Sequence, residues 1–437
     1  MKKVHFIGIG GIGISAIARF LNEKKEYVIS GSDIKESEVI KELRDEGMQI
    51  STPHNKANIK DQDLVIYSAA IKEDNAELVE ARKKQIKCYS RKEILPFILQ
   101  DKKVFSVAGA HGKSTTSAML ASLLDGSVII GAISKQFNSN MKYNKNQNVI
   151  FEADESDSSF LNSNPYLAVV TNAEPEHMEH YCYDLNKFHS AYKGFLERAT
   201  IRVINAEDEF LGALKMDSIK LFPSKDITDM KVVLKSHQPY MSFCLKGLGT
   251  FEVFGLGEHI AIDASLAILA ASTQIGLEEI REKIKSYRGI KKRFDILYAD
   301  SNFVLIDDYA HHPTEIEATI KSIKEYAKLL GLKRIIAIFQ PHRYTRLKAN
   351  LAKFKECFKA VDEVVILPVY AAGEDDNGIN LKEEFSHLNP LFTNSLKRVE
   401  RGVEFIDDFG VKHLLDEGLV VGFGAGDITY QLRGDFN

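Results

Sequence analysis

Residues Gly109-Ala110-His111-Gly112-Lys113-Ser114-Thr115-Thr116 lie between an apolar run, KVFSVA, and a helix-forming run, AMLASLL. In such an order successive backbone amides and a helix N-terminus face a phosphate, a lysine neutralises the β and γ groups, and a hydroxyl from Ser114 or Thr115 reaches a divalent cation. The loop is a shortened Walker pattern, because Val107 stands where the full pattern has glycine. A second glycine turn, Gly8-Ile9-Gly10-Gly11-Ile12-Gly13, also follows an apolar run. Its first glycine permits a tight turn, its second lets the backbone approach a diphosphate, and its third allows close helix packing. Asp33 has the spacing of an acid that meets a ribose or base, and Ser68 closes the run DLVIYS. Two nucleotide sites exceed the needs of a nicotinamide-dependent oxidoreductase. An ATP-driven enzyme with a second nucleotide-bearing substrate accounts for both.

The acids Glu152-Ala153-Asp154-Glu155-Ser156-Asp157 end another apolar run, NVIF, where carboxylate oxygen suits a hard cation that shares phosphate oxygens. Glu176, His177 and His180 close the next run, where a histidine can bind a second metal or contact substrate. Towards the C-terminus come DDYAHHP (from Asp307), QPHRYTR (from Gln340) and PVYAAGE (from Pro368). Arg343 and Arg346 offer planar forks for a carboxylate or a phosphate.

These loops need strands that end where they begin. Strand-like runs alternate with amphipathic helical runs throughout, which predicts an α/β protein built from βαβ units with parallel sheets. A chain of 437 residues makes two or three domains. A charged stretch after Leu95-Pro96 marks a first boundary near residue 98, and the basic segment SYRGIKKRFD marks a second. In an open α/β sheet ligands gather at the carboxyl ends of strands, and every chemically loaded segment of the last block directly follows one.

Lys and Arg total 57 against 61 Asp and Glu, so the net charge of −4 lacks the basic excess of a nucleic-acid binder. The four cysteines form no CxxC pair and read as reduced cytoplasmic thiols. The start, MKKVHFIGIGGIGISAIA, imitates a secretory leader, but four glycines are poor material for its apolar helix. We expect a cytoplasmic protein that keeps these residues. No other segment has the length and apolarity of a membrane span.

HFIGIGGIG, GAHGKSTT, EADESDSSF, TNAEPEHM, DDYAHHPTEI and FQPHRYTR together resemble the Mur ligases, in order and over essentially the whole chain. The resemblance implies a Rossmann-like N-terminal domain (1–97), a central P-loop ATPase-type domain (98–290) and a Rossmann-like C-terminal domain (291–437) that closes over ATP and the amino acid. It implies ATP-dependent joining of L-alanine to the lactyl carboxylate of UDP-N-acetylmuramate, in cytoplasmic peptidoglycan synthesis, by a monomer or weak homodimer with no nucleic-acid or membrane partner. Attachment of a tripeptide to the same acceptor in peptidoglycan recycling is the alternative within the family.

By motif position, Gly8, Gly10, Gly11, Ile12, Gly13, Asp33 and Ser68 would bind the UDP substrate. Gly109, Ala110, His111, Gly112, Lys113, Ser114, Thr115, His259, Asp263, Arg293 and Asp308 would bind ATP. Ser114, Thr115 and Glu152 would hold Mg2+ (or Mn2+), and His177 a second metal. Tyr309, His342, Arg343 and Arg346 would line the amino-acid pocket, with Lys113, His177, His312 and Arg343 catalytic. Four positions depart from the family pattern: Ala110 replaces a threonine, Glu176 an aspartate, and Ile260 and Asp263 replace asparagines. An aspartate accepts from the adenine amino group but cannot donate to a ring nitrogen.

Overall fold

The computed structural model describes residues 1–156, 158–176, 178–376 and 378–434. They form two compact units, one of residues 1–230, 243–253 and 258–288, the other of residues 231–242, 254–257 and 289 onward.

In the first unit, β1 (Lys2–Ile7), β2 (Tyr27–Ser32), β3 (Gln49–Ser51), β4 (Leu64–Tyr67) and β5 (Lys87–Ser90) form a wholly parallel sheet in the order β3-β2-β1-β4-β5. The order reverses at β1, so the glycine turn that follows β1 occupies the switch point where such sheets bind ligands. Val4 to Ile7 are all buried, as a parallel strand covered on both faces requires. Helices α1 (Ile12–Glu23), α2 (Glu38–Asp45), α3 (Ala76–Lys83) and α4 (Arg91–Ile98) follow β1, β2, β4 and β5.

Two local rules place α4. Ser90 caps it, with the Glu93 carboxylate returning to the Ser90 amide, and this fixes Arg91 in the first turn. Pro96 inside the helix cannot donate to the Lys92 carbonyl, and Asn162 Nδ2 donates to that carbonyl instead at 2.9 Å.

The second sheet of this unit contains β6 (Lys103–Ala108), β7 (Ser127–Ser134), β8 (Ser139–Lys142), β9 (Asn148–Glu152), β10 (Pro165–Val170), β11 (Ile201–Asn205) and β12 (Ile219–Leu221). Its order is β12-β11-β10-β6-β9-β7-β8, parallel except for the β7–β8 hairpin. The Gly109–Thr116 loop leaves central β6 and enters α5 (Lys113–Leu123), which packs on the helix Glu258–Ala271. Asn140 on β8 joins the two sheets' elements: its amide donates to Ile12 O (2.7 Å) and Ser15 Oγ (3.0 Å), while Arg19 Nη1 donates to its carbonyl oxygen at 2.6 Å. Arg19 is buried and also pairs with Glu42 and Glu46 on the first sheet's side, so its charge is compensated.

The second unit holds a six-stranded sheet in the order Asp295–Ala299, Phe303–Asp308, Gly418–Phe423, Ile335–Phe339, Glu363–Ile366, Leu391–Phe392. The first strand is antiparallel and the others are parallel. The DDY, QPHR and GFGAG segments therefore leave three adjacent strands at their carboxyl ends. Arg433 of the last helix, Ile428–Arg433, pairs with buried Asp295 and with Asp307 (2.7 Å), which fastens that helix to the first two strands.

Candidate active site

The loop after β6 has the backbone of a phosphate cradle. Gly109 and Gly112 take φ of +140° and +78°, which side chains rarely adopt. A Cβ on Gly109 would strike Thr171 Oγ1, and one on Gly112 would strike Asp263 Oδ1. Asn172, just past β10, props the loop: its Oδ1 accepts from the amides of Ala110 (3.0 Å) and His111 (3.2 Å). Lys113 Nζ donates to Gly109 O (2.5 Å), Ala110 O (3.0 Å) and Glu155 Oε1 (2.9 Å). Glu155 is buried, and burial raises its carboxyl above the usual range although Lys113 opposes the shift. Its Oε2 has no hydrogen-bond partner among the described residues.

Beside the lysine, Ser114 Oγ donates to Glu152 Oε1 at 2.9 Å and the Gly131 amide donates to Glu152 Oε2 at 2.7 Å. No group of three or more His, Cys, Asp or Glu placed to hold a metal occurs among the described residues. One hydroxyl and one carboxylate fit a hard cation that takes its other oxygens from phosphates and water, as Mg2+ does.

At the first sheet's switch point, the amides of Gly8 (2.8 Å) and Ile9 (3.0 Å) both donate to Ser32 O. Asp33 Oδ2 accepts from Gly10 N and Asp33 Oδ1 from Ile34 N, each at 2.7 Å, so this acid braces the glycine turn. Ser68 lies against Gly8, whose added Cβ would come within 3.1 Å of Ser68 Cβ. Gly13 leaves room for a charge: an added Cβ would sit 2.7 Å from Arg91 Nη1. Arg91 also lies 3.5 Å from Asp154 Oδ2 and 3.4 Å from Ser159 Oγ. Burial favours the neutral acid at Asp154, but Arg91 and the Ser156 hydrogen bonds outweigh it and hold the carboxyl below its usual range.

Gly13, Arg91, Lys113, Gly131, Glu152 and Asp154 line one cleft of about 150 Å³, floored by Ile12, Ile17, Ile129, Ile130 and Phe151. The end of the first glycine turn and the lysine of the second thus open on a shared cleft.

The second unit gathers a cationic and aromatic cluster. Arg346 Nη1 and His342 Nδ1 are 2.9 Å apart, and the rings of His342 and His311 lie 5.9 Å apart. Burial, then the neighbouring Arg346, His311 and Arg343, hold the His342 pKa down at about 4, so at neutral pH its Nδ1 accepts from Arg346. Arg343, at the entry of the helix Tyr344–Cys357, has φ +68° and is exposed. Glu315 accepts from the amides of His311 (3.1 Å) and His312 (3.0 Å), which ties both histidines to the start of the helix Pro313–Leu330. Asp308 is buried, and its carboxyl takes the amides of Ala310 (2.8 Å) and Phe294 (3.1 Å) and the hydroxyl of Thr319 (3.2 Å). Burial nevertheless pushes it up to about 6.

Three family models match the chain in order: the Mur ligase family catalytic domain over residues 3–103, the Mur ligase middle domain over 107–271, and the Mur ligase glutamate ligase domain over 292–412. The UDP-N-acetylmuramate–L-alanine ligase of Campylobacter curvus is 70% identical over 100% of both chains. This chain belongs to the Mur ligase family. The crystal structure of the UDP-N-acetylmuramate–alanine ligase from Thermotoga maritima superposes with a TM-score of 0.82 at 30% identity, covering 99% of this chain and 98% of that one. A murein peptide ligase from Psychrobacter arcticus shares the fold, with a TM-score of 0.63 at 20% identity over 98% and 97% of the two chains. The three-domain α/β architecture and ATP use expected from the motifs are those of this family.

In this Mur ligase the residues expected to bind phosphate come together as motifs. Lys113, Ser114 and Glu152 are neighbours, whereas Thr115 makes no hydrogen bond with Glu152 among the described contacts. His177 and Asp157 lie outside the described residues. His111 approaches Glu176 (3.2 Å) and Glu174 (3.5 Å), so Glu176 meets a loop histidine. His259 is exposed at the start of the helix Glu258–Ala271, one turn before Asp263, which abuts Gly112. Arg293 precedes Phe294, whose amide binds Asp308. Asp33 links the glycine turn, through Gly10 N, to its own loop, through Ile34 N; Asp308 accepts from two backbone amides and Thr319, and a Cβ on Gly13 would meet the guanidinium of Arg91 on α4. Arg91 lies in no glycine-rich or acidic motif, and Asn172, although part of TNAEPEHM, has no role that its motif alone assigns.

Proposed function

We infer that this Mur ligase joins L-alanine to the lactyl carboxylate of UDP-N-acetylmuramate while ATP becomes ADP and phosphate, a step of peptidoglycan synthesis. The single observation that carries the reading is the shared cleft, where the N-terminal glycine turn and Arg91 face Lys113 and Glu152. A carboxylate is a poor electrophile for an amine. Its oxygen therefore bonds first to the γ-phosphorus as the bond to ADP breaks, giving an acyl phosphate. Lys113 exchanges its present acceptors for phosphate oxygens and offsets the charge that develops on them. The amine of alanine then attacks the acyl carbon, the tetrahedral intermediate expels phosphate, and the amide remains. The apolar floor of Ile17, Ile129 and Phe151 helps to exclude water that would hydrolyse the acyl phosphate.

Gly8, Gly10, Gly11, Ile12, Gly13 and Ser68 are assigned to the uridine nucleotide, and Arg91 to an anionic group of the same substrate. Ser114 and Glu152 would hold Mg2+, which when bound spreads the charge of the transferring phosphoryl group. Tyr309, His342, Arg343 and Arg346 are assigned to alanine, whose carboxylate matches an arginine fork, and His312 to the reacting groups. We set the domain limits at 1–97, 98–290 and 291–437, which the sheet memberships and the family matches support. A cytoplasmic monomer or weak homodimer fits substrates that are nucleotides and an amino acid. Among the described residues no helix is long and apolar enough to cross a membrane.

Phosphate release with UDP-N-acetylmuramate and ATP, compared between L-alanine and the recycling tripeptide, tests the reading. Release with L-alanine and a product heavier by one alanine residue is expected. Release with the tripeptide alone would assign the chain to the recycling branch.

A further inference from the structure

We propose that Tyr370 is a positioning residue for the amino-acid pocket, holding His342 and Arg343 in their binding geometry while leaving ATP and the uridine nucleotide untouched. The proposal rests on the assignment of His342, Arg343 and Arg346 to alanine. None of the sequence motifs singles out Tyr370 for a role, yet three independent contacts converge on it.

Its ring lies parallel to that of His342, with centroids 5.5 Å apart and planes inclined by 10°. Its backbone forms an isolated parallel bridge with His342: Tyr370 N donates to Pro341 O at 2.8 Å, and Arg343 N donates to Tyr370 O at 2.9 Å. Behind the ring stands Gly426, where an added Cβ would be 2.7 Å from Tyr370 Cγ and 2.8 Å from Tyr370 Cβ. Only a residue without a side chain lets the loop after the strand Gly418–Phe423 press so closely on this tyrosine. Gln340 fixes that loop in turn, donating to Asp427 Oδ1 and accepting from Ile428 N at 3.0 Å.

The consequences reach both groups that would meet the amino acid. His342 Nδ1 accepts from Arg346 Nη1 at 2.9 Å, so the direction of the Arg346 fork depends on the plane of the imidazole, and the stacked phenol sets that plane. Arg343 has φ +68°, a strained conformation for a residue with a Cβ, and persists only where its surroundings over-determine it. The hydrogen bond to the Tyr370 carbonyl is one of those constraints. Tyr370 thus locks a strained arginine through its backbone and orients a second arginine through its ring.

The test is steady-state phosphate release by the full chain, with L-alanine, ATP and UDP-N-acetylmuramate each titrated in turn. Tyr370→Ala removes the stack and should raise the KM for alanine about fivefold to tenfold, the range an aromatic pair supports, with kcat and the other two KM values within about twofold of native. Tyr370→Phe, which keeps the ring, should recover the native KM for alanine. Arg346→Ala separates the two levels of the claim. If Arg346→Ala raises the KM for alanine and Tyr370→Ala leaves it native, the positioning role is overturned and the pocket stands. If Arg346→Ala leaves it native, the pocket assignment fails and the proposal with it. Equal loss of all three affinities in Tyr370→Ala, with a lowered melting temperature, would make Tyr370 a merely structural residue and also overturn the proposal.

Discussion

Gly112→Ala places a methyl group where both conformation and space forbid it. Gly112 caps α5 with φ +78°, and the left-handed region costs a residue with a Cβ about 1–2 kcal/mol. The new Cβ would also run into Asp263 Oδ1, with Asp263 Cγ and Oδ2 at 3.1 Å, and overpacking of this kind costs about 1–3 kcal/mol. The total, about 2–5 kcal/mol, corresponds to roughly 30-fold to several-thousand-fold in an equilibrium constant. Where it appears depends on the loop. If the loop keeps its shape without ATP, the loss is in folding stability; if it relaxes, the loss appears when ATP restores the cradle, as a higher KM for ATP. Thermal melting and phosphate release with ATP titrated read the two parts, and their sum is the predicted quantity. Repeating the substitution in an Asp263→Ala background removes the steric part, so the loss should be smaller there by about 1–3 kcal/mol, a coupling that a double-mutant cycle isolates. A Gly112→Ala chain with native melting and native KM for ATP would refute the cradle geometry. Equal losses in both backgrounds would refute the role of Asp263 contact.

Lys113→Ala should abolish phosphate release, by at least ~1000-fold for loss of a transition-state charge partner, while calorimetry still detects UDP-N-acetylmuramate binding; retained turnover would contradict the phosphate role. Arg91→Ala should weaken UDP-N-acetylmuramate by roughly tenfold or more, as expected for a half-buried charge-assisted contact, with ATP affinity unchanged, and calorimetry with each nucleotide checks the split. Asp308 supplies a pH signature. Burial raises its carboxyl from 3.8 to about 6, so its contribution to stability is fully present below about pH 3.8 and is lost as pH rises through about 6. The shift corresponds to about 3 kcal/mol. The melting temperature of the native chain relative to Asp308→Asn should therefore rise as pH is lowered from 7 to 4.5, and a flat difference would show that Asp308 ionises normally.

The parts of this molecule legible in the sequence are those set by local rules. The glycine turns could be read because φ beyond +70° at Gly8, Gly109 and Gly112 admits few other residues, and because each turn joins an apolar run to a helical one. The parallel sheets could be read from the βα alternation. Contacts between distant segments were not legible. Arg91 reaches Gly13 only because Ser90 and Glu93 start α4 where they do, and the sequence around it shows no sign of its target. Asn172 braces the phosphate loop across the β6–β10 pairing, and Tyr370 meets Gly426 across two strand ends. The edge strand Asp295–Ala299 reads like its parallel neighbours, since strand direction leaves no mark on the apolar pattern. Asp33 has the spacing of a ribose ligand, yet spacing does not reveal that its two oxygens accept from Gly10 N on the glycine turn and from Ile34 N beside it.

The central claim is that the acid substrate is activated by direct attack of its carboxylate on ATP in the cleft between Arg91 and Lys113. UDP-N-acetylmuramate carrying 18O in the lactyl carboxylate, turned over with ATP and L-alanine and followed by mass spectrometry of the released phosphate, tests it most directly. One labelled oxygen in each phosphate is the predicted result, because the acyl phosphate breaks between carbon and oxygen. Unlabelled phosphate, with both labelled oxygens kept or one lost to water, would contradict it.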